Sequence, residues 1–285
     1  MIIVNSISQV RQHITAARAQ GKTIGFVPTM GALHIGHASL IDVAAKQCDY
    51  VVVSIFVNPT QFGPTEDFDK YPRTLDADAQ ICSQHGADLI FAPEPNHMYP
   101  DKLITWVNVE CITDTLCGRF RPGHFRGVTT VCAKLFNIVT PDLAFFGQKD
   151  AQQVAVIKTM VADLNMPLSI VTCPTVRDPD GLATSSRNKY ITEPQRNDAL
   201  LISKALFHCR DLVRQGTLNS SELIEKIKNI LTSSPNVDIQ YVEIVDPATL
   251  GPLEQINGRA LVAIAAYVGR TRLIDNIMLD LHDSQ

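Results

Sequence analysis

The sequence predicts an α/β protein, a parallel sheet covered by helices on both faces and followed by a smaller C-terminal α+β domain. Three observations lead there. Short apolar runs of β-type residues alternate with stretches of helical apolar spacing through the first 175 residues, the pattern of strands joined by crossover helices. The loops richest in Gly, His and amide residues each follow one of those runs, at the strand ends where such sheets bind ligands. Beyond residue 175 the texture changes to two helical stretches and then three β-type runs.

In chain order, Ser8–Gln20 carries the first helical spacing, and Gly21-Lys22 reads as its stop. Ile24–Val27 is a buried strand, and Ala38–Lys46 places Leu40, Ile41, Val43 and Ala44 on helical spacing. Strands at Val51–Phe56 and Leu89–Ala92 flank a helix at Thr74–His85. A helix at Val128–Val139, a strand at Leu143–Phe146, a helix at Ala151–Leu164 and a strand at Leu168–Thr172 complete the series. Residues 1–175 are therefore expected to form a Rossmann-like domain. Pro174, Pro179 and the Asp180-Gly181 turn precede helices at Pro194–Gln215 and Ser220–Leu231 and strands at Asp238–Val245, Ala260–Ala266 and Thr271–Met278. Residues 176–285 are expected to form a separate domain packed as a lid or wall.

With 45% hydrophobic residues in 285, the chain can bury a substantial core. Its net charge of −4 argues against a dedicated nucleic-acid binder. The seven cysteines are scattered and show no CxxC pair, so neither a disulfide framework nor a zinc site is indicated. The N-terminal Met1-Ile2-Ile3-Val4-Asn5 lacks the pattern of a signal peptide, and no apolar run approaches membrane-spanning length. A cytoplasmic protein without a membrane partner is the expectation.

The most informative stretch is Pro28-Thr29-Met30-Gly31-Ala32-Leu33-His34-Ile35-Gly36-His37, between the strand at 24–27 and the helix at 38–46. A Gly-bearing strand-to-helix turn is expected to aim unpaired amides and the positive end of the helix dipole at a ligand. Two histidines three residues apart fall on one side of such a turn. Taken alone, the pair is compatible with capping or packing at a helix start, with metal ligation, or with phosphate contact. No carboxylate or cysteine lies at ligand spacing nearby, which weighs against a metal. Imidazoles near their ordinary pKa would supply hydrogen bonds or a proton to phosphate oxygens. By contrast, Ala16–Thr23 matches a relaxed phosphate-loop pattern in the wrong order, with a helix before it and a strand after it.

The stretch Pro28–His37 resembles the HxGH signature of the nucleotidylyltransferase superfamily and, more specifically, the pantoate–β-alanine ligase family. Further matches in the same order are Asn58-Pro59-Thr60-Gln61-Phe62-Gly63, Tyr71-Pro72-Arg73, Arg121-Pro122-Gly123-His124-Phe125, Phe146-Gly147-Gln148-Lys149-Asp150, Gln152-Gln153 and Ser185-Ser186-Arg187-Asn188. Two positions depart from the family's pattern: Ala151, where relatives often carry an aromatic residue, and Thr184, where an apolar residue is common.

The resemblance implies an ATP-dependent condensation of pantoate with β-alanine through a pantoyl adenylate, releasing pyrophosphate and then AMP. It implies catalytic roles for His34, His37, Lys149 and Arg187, with His37 as proton donor. ATP contacts are implied for Met30, Gly31, Ala32, Leu33, His34, Ile35, Gly36 and His37. The same applies to Gly147, Gln148, Lys149, Asp150, Val176, Thr184, Ser185, Ser186 and Arg187. Asp150 also suits the cap of the helix that begins at Ala151. For pantoate the implied contacts are Gln61, Gln153, Met30 and Phe62, and for β-alanine Gln61. Uncharged amides bind a carboxylate without suppressing it as a nucleophile. Mg²⁺ should accompany ATP, held mainly by phosphate oxygens and water, with Asp76 and Asp78 as candidate outer ligands. Arg121, His124 and Arg126 form a basic loop able to close over phosphates or to sit as ordinary surface. The family also implies a homodimer.

Rival functions make different demands. A nucleotidylyltransferase acting on a phosphate monoester would need cations where this chain offers Gln61 and Gln153. An RNA-associated module would need a basic C-terminal face, whereas Asp238, Glu243, Asp246 and Glu254 mix the signs there. A nucleotide-sensing partner protein would have no use for intact His34, His37, Lys149 and Arg187.

Overall fold

The computed structural model describes residues 1–64, 66 and 68–282; the last three residues of the expected C-terminal domain lie outside that set. Six strands, β1 (Ile2–Val4), β2 (Ile24–Thr29), β3 (Tyr50–Ile55), β4 (Leu89–Phe91), β5 (Leu143–Gly147) and β6 (Ser169–Cys173), form one parallel sheet in the order β1-β4-β3-β2-β5-β6. The chain builds outward from β2 to β3 and β4, then crosses back to lay β5 and β6 on the other side. The resulting switch point lies at the carboxyl ends of β2 and β5, where open α/β sheets bind ligands.

Helices α1 (Ile7–Ala19), α2 (Ile35–Gln47), α3 (Leu75–Gln84), α4 (Pro95–Met98), α5 (Leu116–Phe120), α6 (His124–Val139) and α7 (Ala151–Asp163) connect and cover this sheet. Strand residues alternate between two cores. Phe26, Val52, Ala144 and Phe146 meet α1, α6 and α7 on one face, while Val27, Val51, Val53 and Phe145 meet α2 and α3 on the other. This two-sided burial is why the strands read as continuous apolar runs. Gly21, at φ +72°, ends α1, and β2 follows, so the phosphate-loop look-alike is a helix stop.

Two differences from the sequence reading have simple causes. β1 is absent from that reading because three residues carry no periodic signal; it is an edge strand whose Ile2 and Ile3 stay about half exposed. α6 starts at His124 rather than Val128, because Gly123 takes the left-handed conformation (φ +79°) and turns the apparent Arg121–Phe125 loop straight into the helix.

Helices α8 (Glu193–Arg214) and α9 (Ser220–Leu231) precede an antiparallel sheet of β7 (Val237–Val245), β8 (Arg259–Val268) and β9 (Thr271–Asp280), ordered β7-β8-β9. One face, with Val242, Ile244, Val262 and Ile264, shares a core with α8 and α9. The other, with Tyr241, Val245, Leu261 and Ala263, joins the core of the parallel sheet. The small sheet is thus a wall with both sides covered. A bulge between Ile239 and Tyr241 leaves Gln240 out of the β7 register and re-aims its side chain towards the space between the two sheets.

Candidate active site

The turn from β2 to α2 is fixed by its own side chains. The Thr29 hydroxyl donates to the Ser54 carbonyl (2.7 Å) and accepts from the Gly31 amide (3.2 Å). Gly31 then passes through φ +80° and Ala32 through φ +50°. The expectation of unpaired amides in this turn is corrected: Ala32 N–H and Leu33 N–H donate to the Asp78 carboxylate at 3.1 and 2.8 Å. Asp78, on α3, is only 1% exposed, so its oxygens anchor the turn and are not available as outer magnesium ligands. Asp76 is exposed on the same helix and lines neither cavity described below.

His34 and His37 cap α2 for one another. His34 Nδ1 accepts from the Gly36 amide (3.1 Å), His37 Nδ1 accepts from the His34 amide (3.3 Å), and the ring centroids stand 4.1 Å apart. An Nδ1 that accepts a main-chain hydrogen bond carries no proton, so the neutral ring bears its hydrogen on Nε2. Burial and the nearby Lys149 hold the His34 pKa down to about 4. Burial and the adjacent His34 hold His37 down to about 3. The expectation of imidazoles titrating near neutrality is corrected: both are neutral Nε2–H donors at physiological pH.

His124 is a third depressed histidine, at about 4 through burial and the neighbouring Arg121. Its Nδ1 donates to the Gln61 carbonyl (2.8 Å) and its Nε2 accepts from Arg121 Nη1 (3.0 Å). Arg121 is itself paired with Glu66. Because unfolded histidine titrates near 6.5 and these three near 3 to 4, the unfolded chain binds more protons throughout that interval. Stability should therefore be complete above pH 6.5 and fall as pH drops towards 4. Urea midpoints measured at pH 7.5, 6.5 and 5 should decline over the last step; a flat series would mean that the rings are protonated when folded.

Opposite the histidines, the 3₁₀ turn Pro59–Gln61 presents Gln61, which is 9% exposed. Its Nε2 donates to Met30 Sδ (2.8 Å), and its Oε1 accepts from Asn58 Nδ2 (3.1 Å). Asn58 is fully committed. Its Nδ2 also donates to the Gly127 carbonyl (3.2 Å), and its Oδ1 accepts from the Thr60 amide (3.3 Å) and the Tyr99 hydroxyl (2.9 Å). Phe62 packs edge-on against Phe68 and Tyr71.

Past β5, Gly147, Lys149, Asp150 and, on α7, Gln153 face the same space. Asp150 occupies the position before α7 but makes no side-chain cap; its carboxylate is exposed at the cavity, which corrects the expected capping role. The neighbouring Gln152 is structural, bound to the Cys117 amide and the Ile112 and Thr115 carbonyls at 2.8–2.9 Å. Val176, Thr184, Ser185, Ser186 and Arg187 complete the wall. The Thr184 hydroxyl donates to Asp178 (2.8 Å), which accounts for a polar residue at that position. Thr175 Oγ1, beside them, is buried with no hydrogen-bond partner among the described residues.

These groups enclose a cavity of about 250 Å³ at the switch point, lined by Met30, His34, Gly36, His37, Gln61 and Phe62 on the β2 side. It opens into a larger cavity of about 490 Å³ against the C-terminal sheet. Arg121, His124, Lys149, Asp150, Gln153, Ser185 and Arg187 border both. Five of the expected ATP contacts line neither. Gly31, Ala32 and Leu33 are spent on the turn, Ile35 is 57% exposed, and the Gln148 side chain is bound to Asn276. Arg126 lines neither as well, its guanidinium lying 4.3 Å from the Trp106 ring. No cluster of three or more potential metal ligands occurs among the described residues.

A parallel sheet with an HxGH turn at its switch point, and a cavity there lined by histidines, Lys149, Arg187 and two glutamines, defines a nucleotide-handling α/β enzyme. The family model for pantoate–β-alanine ligases matches residues 2–278, and the chain belongs to that family. A pantothenate synthetase from Thermoanaerobacter sp. (strain X514) is 55% identical over 278 residues, covering 98% of each chain. The crystal structure of a pantothenate synthetase from Thermus thermophilus superposes with a TM-score of 0.93 at 42% identity, over 97% of this chain and 99% of that one. A pantoate–β-alanine ligase from Francisella tularensis, solved in complex with β,γ-ATP and β-alanine, gives 0.78 at 38% identity over 98% and 97%. The chain is thus a ligase that joins pantoate to β-alanine through a carbon–nitrogen bond. Among the described residues no helix is long and apolar enough to cross a membrane.

Proposed function

We propose that adenylation and ligation both occur at the cavity beneath His34 and His37. The carrying observation is the pair of neutral Nε2–H imidazoles facing uncharged Gln61 and Gln153 across one space bordered by Lys149 and Arg187. A pantoate carboxylate oxygen attacks the α-phosphorus of ATP, and the bond to pyrophosphate breaks. The amine of β-alanine then attacks the acyl carbon, the bond to AMP breaks, and the surplus proton of the amine leaves to solvent.

Negative charge builds on phosphate oxygens in the first step, where preorganised donors act most strongly. His34 and His37 supply two such hydrogens, and Lys149 and Arg187 supply fixed positive charge. Ser185, Ser186 and the buried Thr175 hydroxyl add neutral donors. Gln61 and Gln153 hold the pantoate hydroxyls and carboxylate without pairing the nucleophile to a cation, while Met30 and Phe62 suit its methyl groups. The ligands bound in the Francisella complex support ATP and β-alanine as ligands of this fold. Magnesium would reach the site on phosphate oxygens and water and would lower the charge opposing the attack; Asp150, exposed at the cavity, is a carboxylate that could help to hold it. The family resemblance supports a cytoplasmic homodimer, with residues 1–175 carrying the nucleotide and pantoate and residues 176–285 walling them in.

The test is product analysis. AMP should form only when both pantoate and β-alanine are present, and pantoate alone should release about one pyrophosphate per site. Formation of ADP would overturn the acyl-adenylate route.

A further inference from the structure

We propose that Asn276, backed by Asp275, is a positioning pair that sets where Lys149 and the Ser185–Arg187 turn stand, so that β9 of the C-terminal sheet governs adenylation. This rests on the reading of Lys149 and Arg187 as the nucleotide-binding cations.

The segment after β5 leaves the ladder before α7 begins, so its carbonyls need other partners. Asn276 Nδ2 donates to both the Gln148 carbonyl (3.0 Å) and the Lys149 carbonyl (2.8 Å), and its Oδ1 accepts from Gln148 Nε2 (3.1 Å). One amide therefore uses both its donors and its acceptor on two successive residues, which fixes the main chain from which Lys149 projects. The adjacent Asp275 grips a second segment. Its two oxygens accept from Arg177 Nη1 and Nη2 at 2.6 and 2.9 Å. Arg177 also donates to the Gly181 carbonyl (3.1 Å) and lies over Phe207, 4.9 Å from the ring centroid. Arg177 forms a bridge with Ala183, two residues before Ser185. Asp275 Oδ1 further accepts from the Asn276 amide (2.8 Å), which joins the two arms.

Asp275 and Asn276 are 4% and 5% exposed, flanked along the strand by Leu273 and Ile274 on one side and Ile277, Met278 and Leu279 on the other. Apolar residues would stabilise a wall between two cores as well as a buried ion pair and amide do. What the polar pair adds is geometry: it ties two segments, separated in sequence, to one rigid strand.

The experiment compares N276A, K149Q and the double variant for pyrophosphate release, the KM of each substrate and thermal unfolding, with Q148L as a milder lesion should N276A fail to fold. N276A should slow pyrophosphate release by up to about 100-fold, the scale of a small misplacement at a reacting centre. The KM for β-alanine should stay unchanged. On the K149Q background the same substitution should cost less than about threefold, since interacting sites are not additive. Q148L should shift the same rate in the same direction by less. Additive losses, or a lower unfolding temperature with normal pyrophosphate release, would overturn the inference and leave Asn276 a packing residue. A normal rate in K149Q alone would instead remove the reading of Lys149 beneath it, and that single variant shows it separately.

Discussion

Replacing His37 with alanine will slow pyrophosphate release from ATP and pantoate by about two to three orders of magnitude, the loss typical of one preorganised donor at a site of developing charge. The ring is neutral with its hydrogen on Nε2, held so by burial and by the His34 amide bonded to Nδ1. On the function proposed above, it would act as a hydrogen-bond donor and not as a standing acid. Two further readouts follow. His37→Gln should recover part of the rate, because an amide can also donate. The pH–rate profile should carry no limb from this ring between about pH 6 and 8. A near-normal rate in His37→Ala would demote the residue to a helix cap.

The second large effect is expected at a residue that has no side chain, Gly127. A methyl group at Gly127 would stand 2.2 Å from the Thr60 carbonyl oxygen, 2.5 Å from its carbon and 2.7 Å from the Gln61 Cα. All three are main-chain atoms that cannot swing aside. Either α6 or the Pro59–Gln61 turn must shift, and the Asn58–Gly127 hydrogen bond that ties them shifts with it. Gly127→Ala should therefore cost about 1–3 kcal/mol of stability from overpacking. It should also reproduce the effect expected of Gln61→Ala on the proposed reading, namely a KM for pantoate raised at least about tenfold, the equivalent of one lost hydrogen bond to a charged group, with ATP binding altered far less. Equal effects on both substrates would move Gln61 out of the pantoate site. Titration of each ligand by calorimetry separates the outcomes.

Much of this molecule is legible in its sequence because the parallel sheet is buried twice over. β2, β3, β4, β5 and β6 all stand out as apolar runs within one or two residues of their true ends. The loops after β2, β3 and β5 are conspicuous because Gly, His and amide residues have no business in a core. What the sequence hides is long-range polar contact. Asp78 falls at an inward position of α3 beside Ala79 and Cys82, and a carboxylate there is a signal of a buried partner; its partners, the amides of Ala32 and Leu33, lie 45 residues and more away. Asn58 is visible as part of a motif, yet its task of fixing Gln61 depends on Gly127 and Tyr99. Asn276 and Asp275 give no local clue beyond two polar residues between apolar pairs, Leu273-Ile274 and Ile277-Met278. Mutual capping by the two histidines is compatible with their spacing, but only the ring orientations reveal it.

The small antiparallel sheet carries a lesson for anyone who would cut or recombine this chain. Its apolar residues are divided between two neighbours, so severing the polypeptide near residue 175 would leave each fragment with a bare greasy flank, Leu261 and Ala263 on one piece and their partners on the other. Chimeras between related ligases should survive only when both contact layers come from the same parent, since the three strands are mortar as much as brick.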